Sequence, residues 1–71
     1  MSIAENLKHH RMAKNWSQQE LAEISGVSQA QISYIENGKK KNPGVITLKK
    51  LADALGVSVE ELIESRGDDD V

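Results

Sequence analysis

Apolar residues recur along the chain at spacings of three and four positions, which is the period of an amphipathic helix. The pattern is clear in three windows, with apolar residues at Leu21, Ala22 and Ile24, at Ile32 and Ile35, and at Leu48, Leu51, Ala52 and Leu55. No stretch alternates apolar and polar residues for long enough to predict a strand. The pattern therefore predicts an all-α fold.

The starts and ends of the helices are well marked. In a capping box, a serine oxygen accepts from the amide three residues on, and a Glu or Gln there reaches back to the serine amide. Four segments have this form: Ser2–Glu5, Ser17–Glu20, Ser28–Gln31 and Ser58–Glu61. Thr47 is a further N-cap candidate. Residues that can adopt the left-handed conformation past a helix end are Asn15, Gly26, Gly38, Gly56 and Gly67. These signals predict five helices, near 2–14, 17–25, 28–37, 47–55 and 58–66, with one long loop over 38–46.

Charge is unevenly distributed between the two parts of the chain. Residues 1–50 hold eight Lys and Arg against four Asp and Glu, whereas residues 51–71 hold Arg66 against seven acids. The net charge of −2 is therefore the sum of a basic N-terminal part and an acidic C-terminal part. A negative total charge is then no objection to nucleic-acid binding by the basic part. We expect one domain over 1–66 and a short acidic, disordered tail over 67–71.

Two of the predicted helices form a helix-turn-helix. The turn Ser25–Ser28 is four residues long and contains Gly26, so the helices that flank it cross at roughly 90–120°. The run 18–38, QQELAEISGVSQAQISYIENG, resembles the helix-turn-helix of the phage repressor and Cro family, which includes xenobiotic-response-element-type bacterial relatives. The similarity continues through 51–58, LADALGVS, and covers nearly the whole chain. The resemblance implies a compact five-helix repressor-like domain. It also implies a sequence-specific regulator of transcription, a repressor or genetic switch that binds a palindromic operator as a homodimer.

The helix over 28–37 has an uncharged outer face. Ile32 and Ile35 point inward, and the opposite side carries Gln29, Ala30, Ser33, Tyr34 and Asn37. A glutamine amide can bond adenine N6 and N7, and an alanine or an aromatic ring can contact the thymine methyl. We therefore predict that four residues read bases in the major groove: Gln29, Ala30, Ser33 and Tyr34. The alternative is an ordinary polar surface.

Phosphate contacts are expected on both sides of this helix. Lys39, Lys40 and Lys41 follow it directly, and the first amides of the helix that begins at Gln18 form an anion site. The alternative for the lysines is a solvated loop. With the contacts that the resemblance implies, the predicted phosphate-binding residues are Gln18, Ser28, Asn37, Lys39, Lys41 and Arg11. Arg11 and Glu36 also resemble the family's ion pair between the first and third helices; the alternative is two unrelated surface charges.

The resemblance to dimeric repressors requires a second surface. Two-fold dimers place their recognition helices about 34–36 Å apart, one turn of DNA. The predicted interface residues lie in the second half of the chain: Val45, Ile46, Val59 and Ile63. Val45 and Ile46 are expected in the loop, and Leu62 in the core. Val59 is the best single candidate, because it has no obvious role within the chain.

The sequence contains no enzymatic motif. His9 and His10 are adjacent, so on a helix they point about 100° apart and do not form a metal pair. There is no cysteine, no glycine-rich phosphate loop and no nucleophile elbow. We expect no metal, no cofactor and no small-molecule ligand. No apolar run is long enough to span a bilayer, and the N-terminus lacks a signal-peptide pattern, so we expect a cytoplasmic protein.

The main alternative function is an antitoxin of the same fold, whose principal partner is a toxin protein. Such proteins usually bind DNA as well, so the two hypotheses overlap. Co-purification of a second small protein would distinguish them.

Overall fold

The computed structural model describes residues 2–40 and 42–64. It contains α1 (Ile3–Ala13), α2 (Gln18–Ser25), α3 (Gln29–Glu36), α4 (Val45–Leu55) and α5 (Val59–Ile63), with no strand in these ranges. The all-α, five-helix prediction is confirmed. The predicted tail over 67–71, the predicted stop at Gly67 and the phosphate contact at Lys41 fall outside the described residues.

Serine caps begin four of the five helices. At α2, the Ser17 hydroxyl accepts from the Glu20 amide at 3.0 Å, and the Glu20 carboxylate accepts from the Ser17 amide at 2.8 Å. The same reciprocal box forms at Ser2 and at Ser58. At Ser28 the structure has the serine half of the predicted box, in which the hydroxyl accepts from the Gln31 amide at 3.2 Å. Each cap satisfies an amide that lacks a partner within its helix.

Two predicted helix boundaries are wrong. Helix α4 begins after Gly44, not at Thr47, and Gly44 makes no side-chain cap. Its first two side chains are exposed, so water can satisfy the free amides of this turn without a side-chain cap. A helix start of this kind leaves no cap signal in the sequence. Helix α5 ends at Ile63 rather than at residue 66, because Glu64 is already extended (φ −69°, ψ 136°).

One core joins all five helices. Its buried apolar residues are Leu7, Leu21, Val27, Ile32, Ile35, Leu48, Leu51, Ala52, Leu55 and Leu62. Most of these follow the predicted periodicity, but Ile24 is 52% exposed and does not belong to the core. Helix α2 is only eight residues long, and Val27 from the following turn is buried instead.

The first and last described helices are joined by one buried polar side chain. Helix α1 packs against α3 and α5, while α4 packs against α2 and α5. Asn6 of α1 donates from Nδ2 to the Leu62 carbonyl at 2.8 Å and to the Glu64 carbonyl at 2.7 Å. Carbonyls at the end of a helix find no amide one turn further along within it and need other donors. Asn6 therefore caps α5 from another helix.

Candidate nucleic-acid interface

The turn between α2 and α3 brings α3 to the surface. Gly26 ends α2 with φ of 80°, and its amide donates to the Ala22 carbonyl at 2.9 Å. A Cβ at Gly26 would meet nothing within 4 Å, so the left-handed backbone is the reason for a glycine there. Val27 then enters the core and Ser28 caps α3. The turn is thus fixed from both sides.

Helix α3 separates its side chains into a buried and an exposed side. Ile32 and Ile35 are fully buried, and Gln29, Ala30 and Tyr34 are exposed. Ser33 is half-buried, and its hydroxyl accepts from the Asn37 side-chain amide at 3.4 Å. The structure therefore brings all four residues predicted to read bases onto one side of a single helix.

Glu36, at the end of α3, is the centre of a hydrogen-bond network. Arg11 donates from Nε to Oε2 at 2.8 Å and from Nη2 to Oε1 at 3.0 Å, a bidentate ion pair. Gln18 donates from Nε2 to the same Oε1 at 3.0 Å. Arg11 also donates from Nη1 to the Trp16 carbonyl at 2.7 Å. The network ties α1 and the start of α2 to the end of α3.

This network is almost closed to solvent. The side chain of Glu36 is 2% exposed and that of Arg11 is 11% exposed. The hydrogen bonds that Arg11 donates to the Glu36 carboxylate hold the pKa of the guanidinium above its usual value, against the opposing effect of burial. A carboxylate that accepts several charge-assisted and amide hydrogen bonds is well compensated for its burial.

The network changes the roles available to two predicted phosphate ligands. Arg11 directs Nε, Nη1 and Nη2 to groups within the protein, so we regard it as a positioning residue. The Gln18 side-chain amide is bonded to Glu36, which leaves its backbone amide at the start of α2 to face an anion. The contact of Gln18 with Glu36 was missed, because 18 residues separate the two and no local pattern indicates it.

Cations follow α3 in a loop that is anchored to the helix. The backbone amides of Lys39 and Lys40 both donate to the Tyr34 carbonyl, at 3.0 and 3.2 Å, and their side chains are exposed. Ser28 and Asn37 are exposed at the two ends of α3. The phosphate candidates Ser28, Asn37 and Lys39 therefore lie at or just beyond the ends of α3, with the base-reading candidates between them.

The residues predicted for the dimer interface divide into two groups. Val45 and Ile46 are 76% and 72% exposed, in the first turn of α4 rather than in the loop predicted for them. Ile63 is also exposed. Val59 is partly buried against the core, so the prediction that it has no role within the chain is wrong. Val59 is the first residue of α5, which has only five residues, and it packs against the core from the first turn of that helix.

The described residues hold no group of three or more His, Cys, Asp or Glu side chains that could bind a metal. The rings of His9 and His10 lie edge to face, with centroids 5.5 Å apart. Within the same ranges, no helix combines the length and the apolar character that a membrane span requires.

Comparison with known proteins gives consistent matches. Residues 7–62 match the helix-turn-helix family. The HTH-type transcriptional repressor RghR of Bacillus subtilis is 44% identical over 66 residues, which cover 93% of this chain and 49% of RghR. The chain therefore spans about half the length of that relative. Control protein C.SmaI of Serratia marcescens is 42% identical over 65 residues, which cover 92% of this chain and 76% of C.SmaI.

A solved structure shows the same fold. The crystal structure of SinR, the master regulator for biofilm formation, in complex with DNA superposes with a TM-score of 0.82 at 38% identity. The match covers 84% of this chain and 95% of the SinR chain.

Proposed function

The chain belongs to the helix-turn-helix family, and we propose that it is a sequence-specific DNA-binding regulator of transcription that acts as a homodimer on a two-fold symmetric operator. The family predicted from the sequence is confirmed, and with it the prediction that the chain is not an enzyme.

The exposed side of α3 is the observation that carries the proposal. It is a rigid helix face with hydrogen-bonding side chains, a methyl group and an aromatic ring, and it is held outward by two buried isoleucines. A major groove about 12 Å wide accepts a helix of this kind. The likeness to SinR, whose crystal structure is a complex with DNA, supports DNA binding by this chain.

In the proposed complex, the base contacts and the phosphate contacts come from different parts of the site. Side chains on the outer face of α3 read base edges: Gln29, Ala30, Ser33 and Tyr34. Groups at the start of α2 and at or just beyond the ends of α3 bind phosphates: the Gln18 backbone amide, Ser28, Asn37 and Lys39. Lys41, which lies outside the described residues, is proposed as a further phosphate ligand. The phosphate contacts supply affinity and fix the register, and the base contacts supply specificity.

A second copy is required because one recognition helix reads only a few base pairs. We propose that the first turn of α4, with Val45 and Ile46, and the exposed Ile63 of α5 meet their symmetry equivalents. Exposed apolar side chains of this size lose contact with water when they pair across a two-fold axis. The dimer then presents two α3 helices to successive turns of one face of the DNA. RghR, a relative, is named a repressor. The protein proposed here would likewise repress transcription when bound to its operator, by excluding other proteins from that DNA.

Selection of bound sequences from random duplex DNA tests the proposal. We expect enrichment of one site with two similar half-sites in inverted orientation, whose centres lie about one helical turn apart. A matched variant, Gln29→Ala, should relax the preference at one position in each half-site, whereas Lys39→Ala should weaken all sequences alike and lower the salt dependence. Absence of any enriched sequence would contradict DNA recognition, and a single isolated half-site would contradict the dimer.

A further inference from the structure

A surface cavity lies between the start of α1, the loop that follows α3, the first turns of α4 and the end of α5. Its volume is about 510 Å³, within the range of about 300–1,000 Å³ that is usual for small-molecule sites. The residues that line it include Ser2, Ile3, Lys40, Pro43, Leu48 and Ile63. No residue of α3 is among those that line it, so the cavity is distinct from the proposed base-reading surface.

Most of the cavity wall is apolar. Pro43 and Leu48 are buried, and Ile3 is partly buried against the core. Ile63 is 50% exposed, so it keeps an apolar surface at the cavity that a bound ligand would cover. Removal of such a surface from water favours binding. The wall therefore selects a ligand with a hydrocarbon part.

No acidic side chain is among the described residues that line the cavity. Lys40 is exposed and carries the one full charge in that set. The Ser2 hydroxyl accepts from the Glu5 amide at 3.2 Å, which leaves its own O–H to donate. The nearby Glu5 carboxylate accepts from the Ser2 backbone amide, also at 3.2 Å. An ammonium group and a hydroxyl donor beside an apolar wall suit a ligand whose head group is an anionic acceptor.

The loop that carries Lys40 is held in place before any ligand binds. The backbone amides of Lys39 and Lys40 both donate to the Tyr34 carbonyl, at 3.0 and 3.2 Å. Pro43, further along the same loop, is buried. Binding therefore does not have to order this wall of the cavity, which spares a ligand that entropic cost.

We propose that this cavity binds a small amphipathic carboxylate, with its hydrocarbon part against Ile3, Leu48 and Ile63 and its carboxylate at Lys40. The inference goes beyond the proposed function and does not depend on it. The expectation that the chain has no small-molecule ligand rested on sequence motifs. A cavity whose walls come from four separate parts of the chain leaves no such motif.

Titration of the isotope-labelled protein with sodium octanoate, followed by NMR below the concentration at which octanoate forms micelles, tests the proposal. We expect saturable amide shifts concentrated at residues 2–4, 38–40 and 62–63. Octylamine, which has the same tail and a cationic head, should bind severalfold more weakly, because Lys40 repels it. Butyrate, whose tail is too short to cover the apolar wall, should also bind more weakly.

Two pairs of matched variants assign the two parts of the ligand. Lys40→Gln should raise the octanoate dissociation constant by about threefold and abolish the preference over octylamine. Lys39→Gln removes the same charge from a residue that does not line the cavity, and should change the constant little. Ile63→Ser should raise the constant by about fivefold. Ile24→Ser, at a similarly exposed position on α2, should leave it unchanged.

Two results would overturn the proposal. Equal binding of octanoate and octylamine, with shifts spread over the whole surface, would show detergent-like adsorption instead of a site. Absence of saturable octanoate shifts would also overturn it, and amides of the cavity that move with protein concentration would then assign the cavity to contact between copies. Neither result bears on the proposed DNA binding, since the titration contains no DNA.

Discussion

At the scale of single residues, Glu36 links the fold to the candidate interface. It ends α3, and its carboxylate accepts hydrogen bonds from Arg11 of α1 and from Gln18 in the first turn of α2. The same hydrogen bonds therefore fix the end of α3, after which Lys39 and Lys40 follow, and the start of α2. The first amides of α2 have no partner within the helix. The Glu36 carboxylate therefore helps to position both proposed phosphate-binding regions.

We expect Arg11→Ala to destabilise the protein far more than loss of an exposed cation would. Removal of one member of a buried ion pair leaves the other charge without compensation and costs about 3–5 kcal/mol, somewhat less where the pair is partly exposed, as at Arg11. Urea unfolding monitored by circular dichroism measures the change. Lys8→Ala, an exposed position on the same helix, is the control and should remain within about 0.5 kcal/mol of wild type. Equal unfolding midpoints for the two variants would contradict a structural role for the pair.

The sequence revealed this network only in part. The pairing of Arg11 with Glu36 followed from resemblance to a family and not from spacing, since 25 residues separate them. The sequence predicts a phosphate contact for Gln18 because the free backbone amides at the start of a helix are a local signal. The hydrogen bond from the Gln18 side-chain amide to Glu36 depends instead on how three helices meet, which the sequence pattern does not contain.

At the scale of helices, local chemistry determined which boundaries were predictable. Ser2, Ser17, Ser28 and Ser58 all accept the predicted amide hydrogen bond. The N-cap of α4 is Gly44, which has no side-chain oxygen and so gives no cap signal in the sequence. Thr47 was predicted instead because it is the nearest residue with a side-chain hydroxyl. The end of α5 was missed for a different reason, since Asn6 caps it from 56 residues away.

We expect Gly44→Ser to stabilise the protein by a few tenths to about 1 kcal/mol. Gly44 has φ −64° and ψ 160°, which any residue adopts, and a Cβ there meets nothing within 4 Å. Serine would supply the missing cap and reduce the freedom of the unfolded chain. Thermal unfolding should show a higher midpoint.

Gly56→Ser is the matched control for this change. Gly56 has φ +74°, so a side chain strains the backbone, and its midpoint should fall. A lower midpoint for Gly44→Ser would show that the start of α4 does not have the extended cap conformation.

At the scale of the whole molecule, the apolar residues left outside the core suggest how copies associate. Val45 and Ile46 are the most exposed of the large apolar side chains in the described ranges, and they lie side by side in one helical turn. The sequence predicted both as interface residues but placed them in a loop, whereas the structure has them in α4. It also favoured Val59, because a pattern along one chain does not show which apolar residues a short helix turns toward its own core.

We expect Ile46→Glu to raise the dissociation constant of the dimer by about tenfold or more, since two carboxylates would approach across the two-fold axis. Glutamate is favourable in the first turn of a helix, so the monomer should keep its stability. Sedimentation velocity over a range of concentrations measures the association. Ile24→Glu, an exposed apolar position on α2, should leave association unchanged. Equal association of both variants and the wild type would place the dimer contact elsewhere.

The two hydrogen bonds from Asn6 also determine when the fold can be completed during synthesis. Helix α1 emerges from the ribosome first, whereas the carbonyls of Leu62 and Glu64 that Asn6 binds emerge some 56 residues later. The helix-turn-helix and α4 pack through contacts that lie closer in sequence and are available earlier. A nascent chain that has emerged as far as Leu55 can therefore form the contacts among α1 to α4 while the side of α1 that packs against α5 is still uncovered.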